Sequence, residues 1–331
     1  MTRPTPQVPG SERSSCPDCS VDRRDFLAAV AAGAVAVGAG PLLSGHAVAA
    51  PKRDSRAESA VTRLYETLTV PQRKEMVLAW DDPRRTRISA NWKITKATVG
   101  TFSPEQRKII DEILAGVTSE DGYDRLKKQM ADDSGGVEDY AIAIFGKPDD
   151  ERFAFELTGR HLTLRADGDT TPGAAFGGPI VYGHGETGNS KDNLFFHQTL
   201  AANEVFKALD GEQRKKALLA RAPAENAVQL REDITQIPGI SGKELSDDQK
   251  ELVKKVLGTI LAPYRKEDVD EALAVLEAGG GIDSLQMAFY QSGDLDDDGV
   301  WDVWRLESPT LVCHFRGAPH VHAYINIARR S

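Results

Sequence analysis

Cysteine is almost missing from this chain: three occur in 331 residues, and only Cys313 lies beyond the first twenty. A main body with one cysteine cannot close an intramolecular disulfide, so its stability must come from an apolar core or from bound ions. Basic stripes are missing as well. A net charge of −9, with no Lys/Arg-dense segment interleaved with aromatics, excludes a nucleic-acid partner, because binding phosphates needs a basic face. No Gly-x-Ser-x-Gly elbow occurs, and Gly177, Gly178, Gly183, Gly185 and Gly188 fit neither Rossmann nor Walker spacing. Nucleophilic serine chemistry and phosphate cradling therefore have no support. Histidine is absent from the 110 residues between Pro51 and Arg160, yet six follow, at His161, His184, His197, His314, His320 and His322.

Long apolar runs are also lacking. The nearest to one extends from Phe26 to about Leu43, broken by glycines and barely long enough to span a bilayer. It follows Val21-Asp-Arg-Arg-Asp-Phe-Leu27 and precedes Ala47-Val-Ala49, the pattern of a twin-arginine export signal with an A-x-A cleavage site. Residues 1–49 are accordingly expected to be the signal, with the twin-arginine translocation machinery as partner. The mature protein is then periplasmic or extracellular, without a stable membrane anchor. That route carries proteins already folded, so it permits a bound metal. Cys16-Pro-Asp-Cys19 lies in the part that would be removed, and a lone CxxC says little about chemistry.

What is present is a helical start signal used four times. Leu68-Thr-Val-Pro-Gln-Arg73, Phe102-Ser-Pro-Glu-Gln-Arg107, Leu209-Asp-Gly-Glu-Gln-Arg214 and Leu245-Ser-Asp-Asp-Gln-Lys250 each place a capping residue three positions before Gln. That is the capping-box pattern, in which the cap and the Gln side chain satisfy each other's backbone N–H. The caps at Thr69 and Asp210 are 141 residues apart, those at Ser103 and Ser246 143 apart. Strand-like stretches follow each helical pair, over 152–164 and 303–314. The expectation is an α+β fold, helices packed around antiparallel sheet, with residues 50–331 as one domain. Helix-helix-sheet occurs twice, over about 60–165 and about 194–331. An internal duplication explains the repetition, and so does the commonness of a good cap. Between the halves, 166–193 reads as a Gly-rich functional loop.

The richest chemistry lies in Cys313-His-Phe-Arg-Gly-Ala-Pro-His-Val-His-Ala-Tyr-Ile-Asn-Ile327, a hairpin pattern. Alternate strand residues share a face, so His320 and His322 point the same way, about 7 Å apart at their bases. A four-residue turn would set Cys313 opposite His322, giving a Cys/His/His set suited to zinc or copper. A three-residue turn would set His314 there, giving three histidines suited to zinc, copper or non-haem iron. His161, His184 and His197 are further candidate ligands. Glu186 and Tyr324 are candidate acid/base groups in what would be an oxidoreductase or hydrolase acting on an unidentified small molecule or polymer. The rivals are a non-catalytic binding protein with structural metal, and a chain with no transition metal. Gly293-Asp-Leu-Asp-Asp-Asp-Gly-Val-Trp-Asp302 matches the first half of a calcium loop through Asp294, Asp296, Asp298 and Asp302, but Arg305 stands where the bidentate acid belongs. It reads as a calcium-stabilised turn or as a plain Asp/Gly hairpin turn.

The repeated helix starts, Ile144-Phe-Gly-Lys-Pro148, Gly159-Arg-His-Leu-Thr-Leu164, Thr171-Pro172 and the closing His-x-His together resemble an exported bacterial family known only as a domain of unknown function, number thirty-five hundred. The resemblance covers nearly all of the chain after the signal. Members tend to show Gly-His-His-Leu where this chain has Gly159-Arg-His-Leu162, so only His161 carries over. An acidic residue is common in the family where this chain has Cys313-His314. The resemblance implies an architecture and no particular reaction.

Overall fold

The computed structural model describes residues 50–150, 152–188, 190–295 and 298–329. Residues 1–49, where the export signal is expected, and Asp296 lie outside these. Among the described residues are eight α-helices and one eleven-stranded sheet. The first half runs α1 (Arg56–Thr67), α2 (Val70–Met76), β1 (Val77–Leu78), α3 (Pro104–Val117), α4 (Glu120–Ser134), β2 (Ala141–Gly146), β3 (Phe153–Gly159), β4 (Leu162–Ala166) and β5 (Ile180–Thr187). The second runs α5 (Phe196–Ala208), α6 (Gly211–Ala217), β6 (Leu218–Leu219), β7 (Ile240–Ser241), α7 (Asp247–Leu261), α8 (Lys266–Ala278), β8 (Gln286–Tyr290), β9 (Val303–Ser308), β10 (Leu311–Arg316) and β11 (His320–Ile327).

Strand order is β1-β2-β3-β4-β5-β11-β10-β9-β8-β6, with β7 paired to β8. Only β1–β2 and β6–β8 are parallel, one at each end of the sheet; the other pairs are antiparallel. The α+β expectation therefore holds, and the order of paired elements is the same in both halves. The two runs of strands meet at β5–β11.

All four capping boxes form, at Thr69/Gln72, Ser103/Gln106, Asp210/Gln213 and Ser246/Gln249. Their glutamines do more than cap. The amides of Gln72 and Gln106 bond each other at 3.0 Å, and those of Gln213 and Gln249 do so at 2.8 and 3.1 Å. Gln106 also donates to the Thr67 carbonyl, and Gln249 to that of Ala208, the last turns of α1 and α5. Each pair thus ties the end of one helix to the starts of two others, which explains why Gln stands at all four positions.

The helices cover one face of the sheet. Phe153, Phe155 and Leu157 of β3 point into that core, as do Trp304 and Leu306 of β9, while Ala154 faces away. The opposite face is covered by two irregular straps, 79–97 and 220–239. Backbone and side-chain bonds fasten them: the Ile94 N–H donates to Thr158 Oγ1, Arg165 donates to the Arg85 carbonyl, Arg305 to that of Ala227 and Asn326 to that of Val228. The straps meet over Val181, Val312 and Tyr324, where Ala90 comes from one and Val228 from the other.

Residues 166–193 are not one loop. They contain β5, a central strand, hidden in the sequence by Gly183 and Gly185, which ordinarily weaken a strand. Both glycines answer close approaches: a Cβ on Gly183 would lie 2.2 Å from the Val321 carbonyl oxygen, and one on Gly185 2.4 Å from Asp133 Oδ1.

On the helix side, Arg265 holds Glu58 through two bonds of 2.7 and 2.9 Å and Asp268 through two of 2.8 and 3.5 Å, joining α1 to α8. Burial, with repulsion from Asp169, Asp268 and Asp167, pushes Glu271 up to about 8. Burial also pushes Asp268 up to about 7, against the pull of Arg265, and Asp167 up to about 6. These folded pKa values lie above the unfolded ones near 4, so between about pH 4 and 8 the folded state binds more protons than the unfolded state. The group's contribution to stability is therefore largest at low pH and is lost as pH rises through that window. Thermal unfolding followed by circular dichroism should show a smaller loss of Tm from pH 5 to pH 8 in Glu271→Gln than in the wild type.

Candidate metal centre

The hairpin turn between β3 and β4 has two residues, Arg160 and His161, because Gly159 pairs with Leu162. His161 takes φ 57°, a left-handed conformation that costs a side chain of this size about 1–2 kcal/mol. It is held there by its N–H, which donates to the Ala90 carbonyl at 2.6 Å, and by its ring, which bonds Asp133. His320 and His322 stand on β11, with a bulge between His320 and Val321. His322 pairs with Gly183 of β5 on one side and with Arg316 of β10 on the other. With no side chain at Gly183, the His161 ring lies beside both: its centroid is 5.0 Å from that of His320 and 4.8 Å from that of His322. One nitrogen from each of the three rings falls within 4.8 Å of the others. Among the described residues this is the one such cluster of His, Cys, Asp or Glu, and it contains no fourth member.

Carboxylates fix two of the rings from behind. His161 Nδ1 is 2.7 Å from Asp133, whose oxygens also accept from Gln129 at 2.7 Å and from the Gly185 N–H at 2.9 Å. His322 Nδ1 is 2.8 Å from Glu225, which also pairs with Arg316 at 2.6 Å. Burial opposes ionisation of Glu225, but the His322 hydrogen bond and the charges of His322 and Arg316 hold it down at about 2. Burial likewise opposes ionisation of Asp133, and the bonds from His161 and Gln129 keep it below the ordinary range. Both carboxylates therefore take an Nδ1–H, which leaves each Nε2 as a lone pair.

His320 Nε2 accepts from Arg316 Nη2 at 3.1 Å, so it too presents a lone pair. It lies 3.0 Å from His322 Nε2. Burial, aided by His322 and Arg316, brings His320 down to about 4, and burial lowers His322 despite Glu225, so neither ring is protonated at neutral pH. With both rings in these tautomers the two Nε2 atoms cannot hydrogen-bond each other, and a cation held between them would take up both lone pairs. At a metal–nitrogen distance of about 2.05 Å, a 3.0 Å separation subtends an angle of roughly 90–95°.

The remaining sequence candidates are placed elsewhere. Neither expected hairpin register occurs: five residues, 317–321, separate Arg316 from its partner His322. The turn is wide because its polar groups are used by neighbours. Gly188 N–H donates to the Pro319 carbonyl, and Gly317 N–H to that of Asp302. Cys313 consequently pairs with Ile325 and points into the helix-side core, where burial raises its thiol well above the ordinary range. His314 shares the face of His322 but pairs with Tyr324. Burial brings it down to about 4, and it lines a cavity of about 300 Å³ with Glu225 and Arg316. His184 faces the helices: its Nδ1 accepts from the Leu194 N–H at 3.2 Å and its Nε2 donates to Asp132 at 3.0 Å. His197 is exposed on α5, and Glu186 sits at the exposed end of β5 on the His184 face. Tyr324, pushed up to about 12 by burial and Glu225, stays protonated, its ring 6.2 Å from that of His322.

In the acidic turn between β8 and β9, the carboxylates serve backbone groups. Asp298 accepts from the Val300 N–H, Asp302 from Leu295 and Asp294 from Asp302.

Asp133, Glu225 and Arg316 were not among the sequence candidates. Asp132-Asp133 carried a signal: two acids in the last turn of α4 oppose the helix dipole, which favours cations there. Glu225, in a strap without periodicity, carried none.

The family described as Protein of unknown function (DUF3500) matches residues 51–327, and the chain belongs to it. No curated protein matches the chain, and no solved structure does.

Nitrogen-15 NMR of the imidazoles in metal-free protein tests the tautomers directly. His161 and His322 are expected as Nδ1–H and His184 as Nε2–H at pH 7.5; the opposite tautomer at His161 or His322 would remove the lone pair from the centre.

Proposed function

We propose that this protein is an exported, metal-dependent enzyme whose first-row transition metal is held by His161, His320 and His322. The observation that carries the reading is the convergence of three imidazoles, two of them backed by a carboxylate on the far nitrogen. Carboxylate–histidine pairs of this kind orient a ligand and raise its basicity. Closing this set costs backbone strain at His161 and the desolvation of two carboxylates, an arrangement without benefit in a purely structural hairpin.

A binding protein with structural metal would be expected to complete four protein ligands. The described residues supply three, which leaves coordination positions for water and substrate. Zinc held by these three residues would supply a Lewis acid and an activated water for hydrolysis; copper or iron held there would supply redox chemistry for an oxidation with O₂ as the electron acceptor. Cys313 takes no part in the donor set, so the ligands are all nitrogen. Export rests on the paired arginines and the apolar run that follows them, and it fits loading of the metal before translocation.

Protein purified from its own host, folded and exported there, is expected to carry roughly one equivalent of zinc, copper or iron by elemental analysis. His320→Ala and His322→Ala should each lose it while still folding. Less than about a tenth of an equivalent, together with a Tm that added metal leaves unchanged, would contradict the metal reading. In Glu225→Gln the far nitrogen loses its charged partner, and competition with a chromogenic chelator should show metal affinity about 10–100-fold weaker.

A further inference from the structure

We infer that the substrate of this centre presents an oxyanion, a carboxylate or a phosphate, which docks on Arg316 and Arg160 beside the metal; the inference rests on the metal reading above.

Arg316 spends its donors on three acceptors. Nη1 bonds Glu225 at 2.6 Å, Nε reaches the His320 carbonyl at 3.3 Å, and Nη2 donates to His320 Nε2 at 3.1 Å. The last of these uses the lone pair that a metal must take. One sp² nitrogen has one such lone pair, so a metal on His320 displaces the guanidinium N–H from it. Loading the metal therefore releases a charged donor next to the metal, while Glu225 and the His320 carbonyl still anchor the rest of the side chain. A planar guanidinium fixed at one end and free at the other matches an oxyanion bound to the adjacent metal.

Arg160 supplies the second donor. It precedes His161 in the two-residue turn, and its side chain is exposed, with no hydrogen bond or ion pair to any described residue. Its Nη2 lies 3.6 Å from the point where a Cβ on Gly185 would be, so it stands over β5. In the sheet, β11 lies between β5 and β10. The two guanidiniums thus flank the strand that carries His320 and His322, Arg160 from the β5 side and Arg316 from the β10 side. The chain as a whole has a net charge of −9, so this cationic pair is a local feature and not part of a general basic surface. An anion would be steered to it by the metal and the two arginines together.

The test uses the full mature protein loaded with cobalt(II), whose visible bands report changes in coordination. Acetate and inorganic phosphate are titrated in separate arms against the wild type, Arg160→Gln and Arg316→Lys. Saturable band shifts are expected in the wild type, with the tighter of the two probes assigning the oxyanion class. Both variants should keep cobalt at the wild-type stoichiometry and bind that probe at least about tenfold more weakly, the loss expected for one charge-assisted hydrogen bond. Metal-free protein should bind neither probe by calorimetry. Wild-type affinity in both variants would overturn the inference and leave the metal centre standing. Failure of the wild type to retain cobalt at all would overturn the metal reading and the inference with it. Should Arg316→Lys lose its cobalt, Arg160→Gln, which touches no ligand, decides the matter alone.

Discussion

The antiparallel pairing of β5 with β11 is the constraint on which the rest depends. It joins the two halves into one sheet, and it sets Gly183 opposite His322. With only hydrogen at Gly183, the β3–β4 turn can bring His161 over the join. The same strand brings the Gly185 N–H to Asp133 at the end of α4. A side chain at either glycine would meet the Val321 carbonyl or the Asp133 carboxylate, so the sheet's centre is built around an approach that only glycine allows.

The imidazoles are arranged against their own comfort. His161 sits in a left-handed conformation, and the Nε2 atoms of His320 and His322 stand 3.0 Å apart with no proton of their own between them. Two carboxylates, themselves held down by hydrogen bonds and by Arg316, keep the rings from turning away. Such conflicts between local preference and observed geometry concentrate where a fold serves something other than its own stability. Elsewhere local choices agree: the four capping boxes do their expected work, and their glutamines extend it into contacts between helices.

The helical layer was legible because its signals are local. A cap three residues before Gln, followed by apolar residues at helical spacing, needs no knowledge of what lies across the sheet. The strands over 152–164 and 303–314 were legible for the same reason, as was the shared face of His320 and His322. β5 was not, because its glycines answer contacts with Val321 and Asp133 that are distant in the chain. The hairpin register was missed because Pro319 and Gly317 are bonded to Gly188 and Asp302, which widens the turn to five residues and turns Cys313 toward the helices. His161 was among the candidates. The carboxylates that orient the rings, Asp133 on a helix behind His161 and Glu225 on a strap behind His322, are set by tertiary packing alone.

The central claim is that the three imidazoles bind one metal without the cysteine. X-ray absorption at the edge of the bound metal tests this most directly. The account predicts a shell of about three imidazole nitrogens near 2.0–2.1 Å, completed by light solvent atoms and without sulfur. A sulfur scatterer near 2.3 Å would place Cys313 in the site and contradict the arrangement described here.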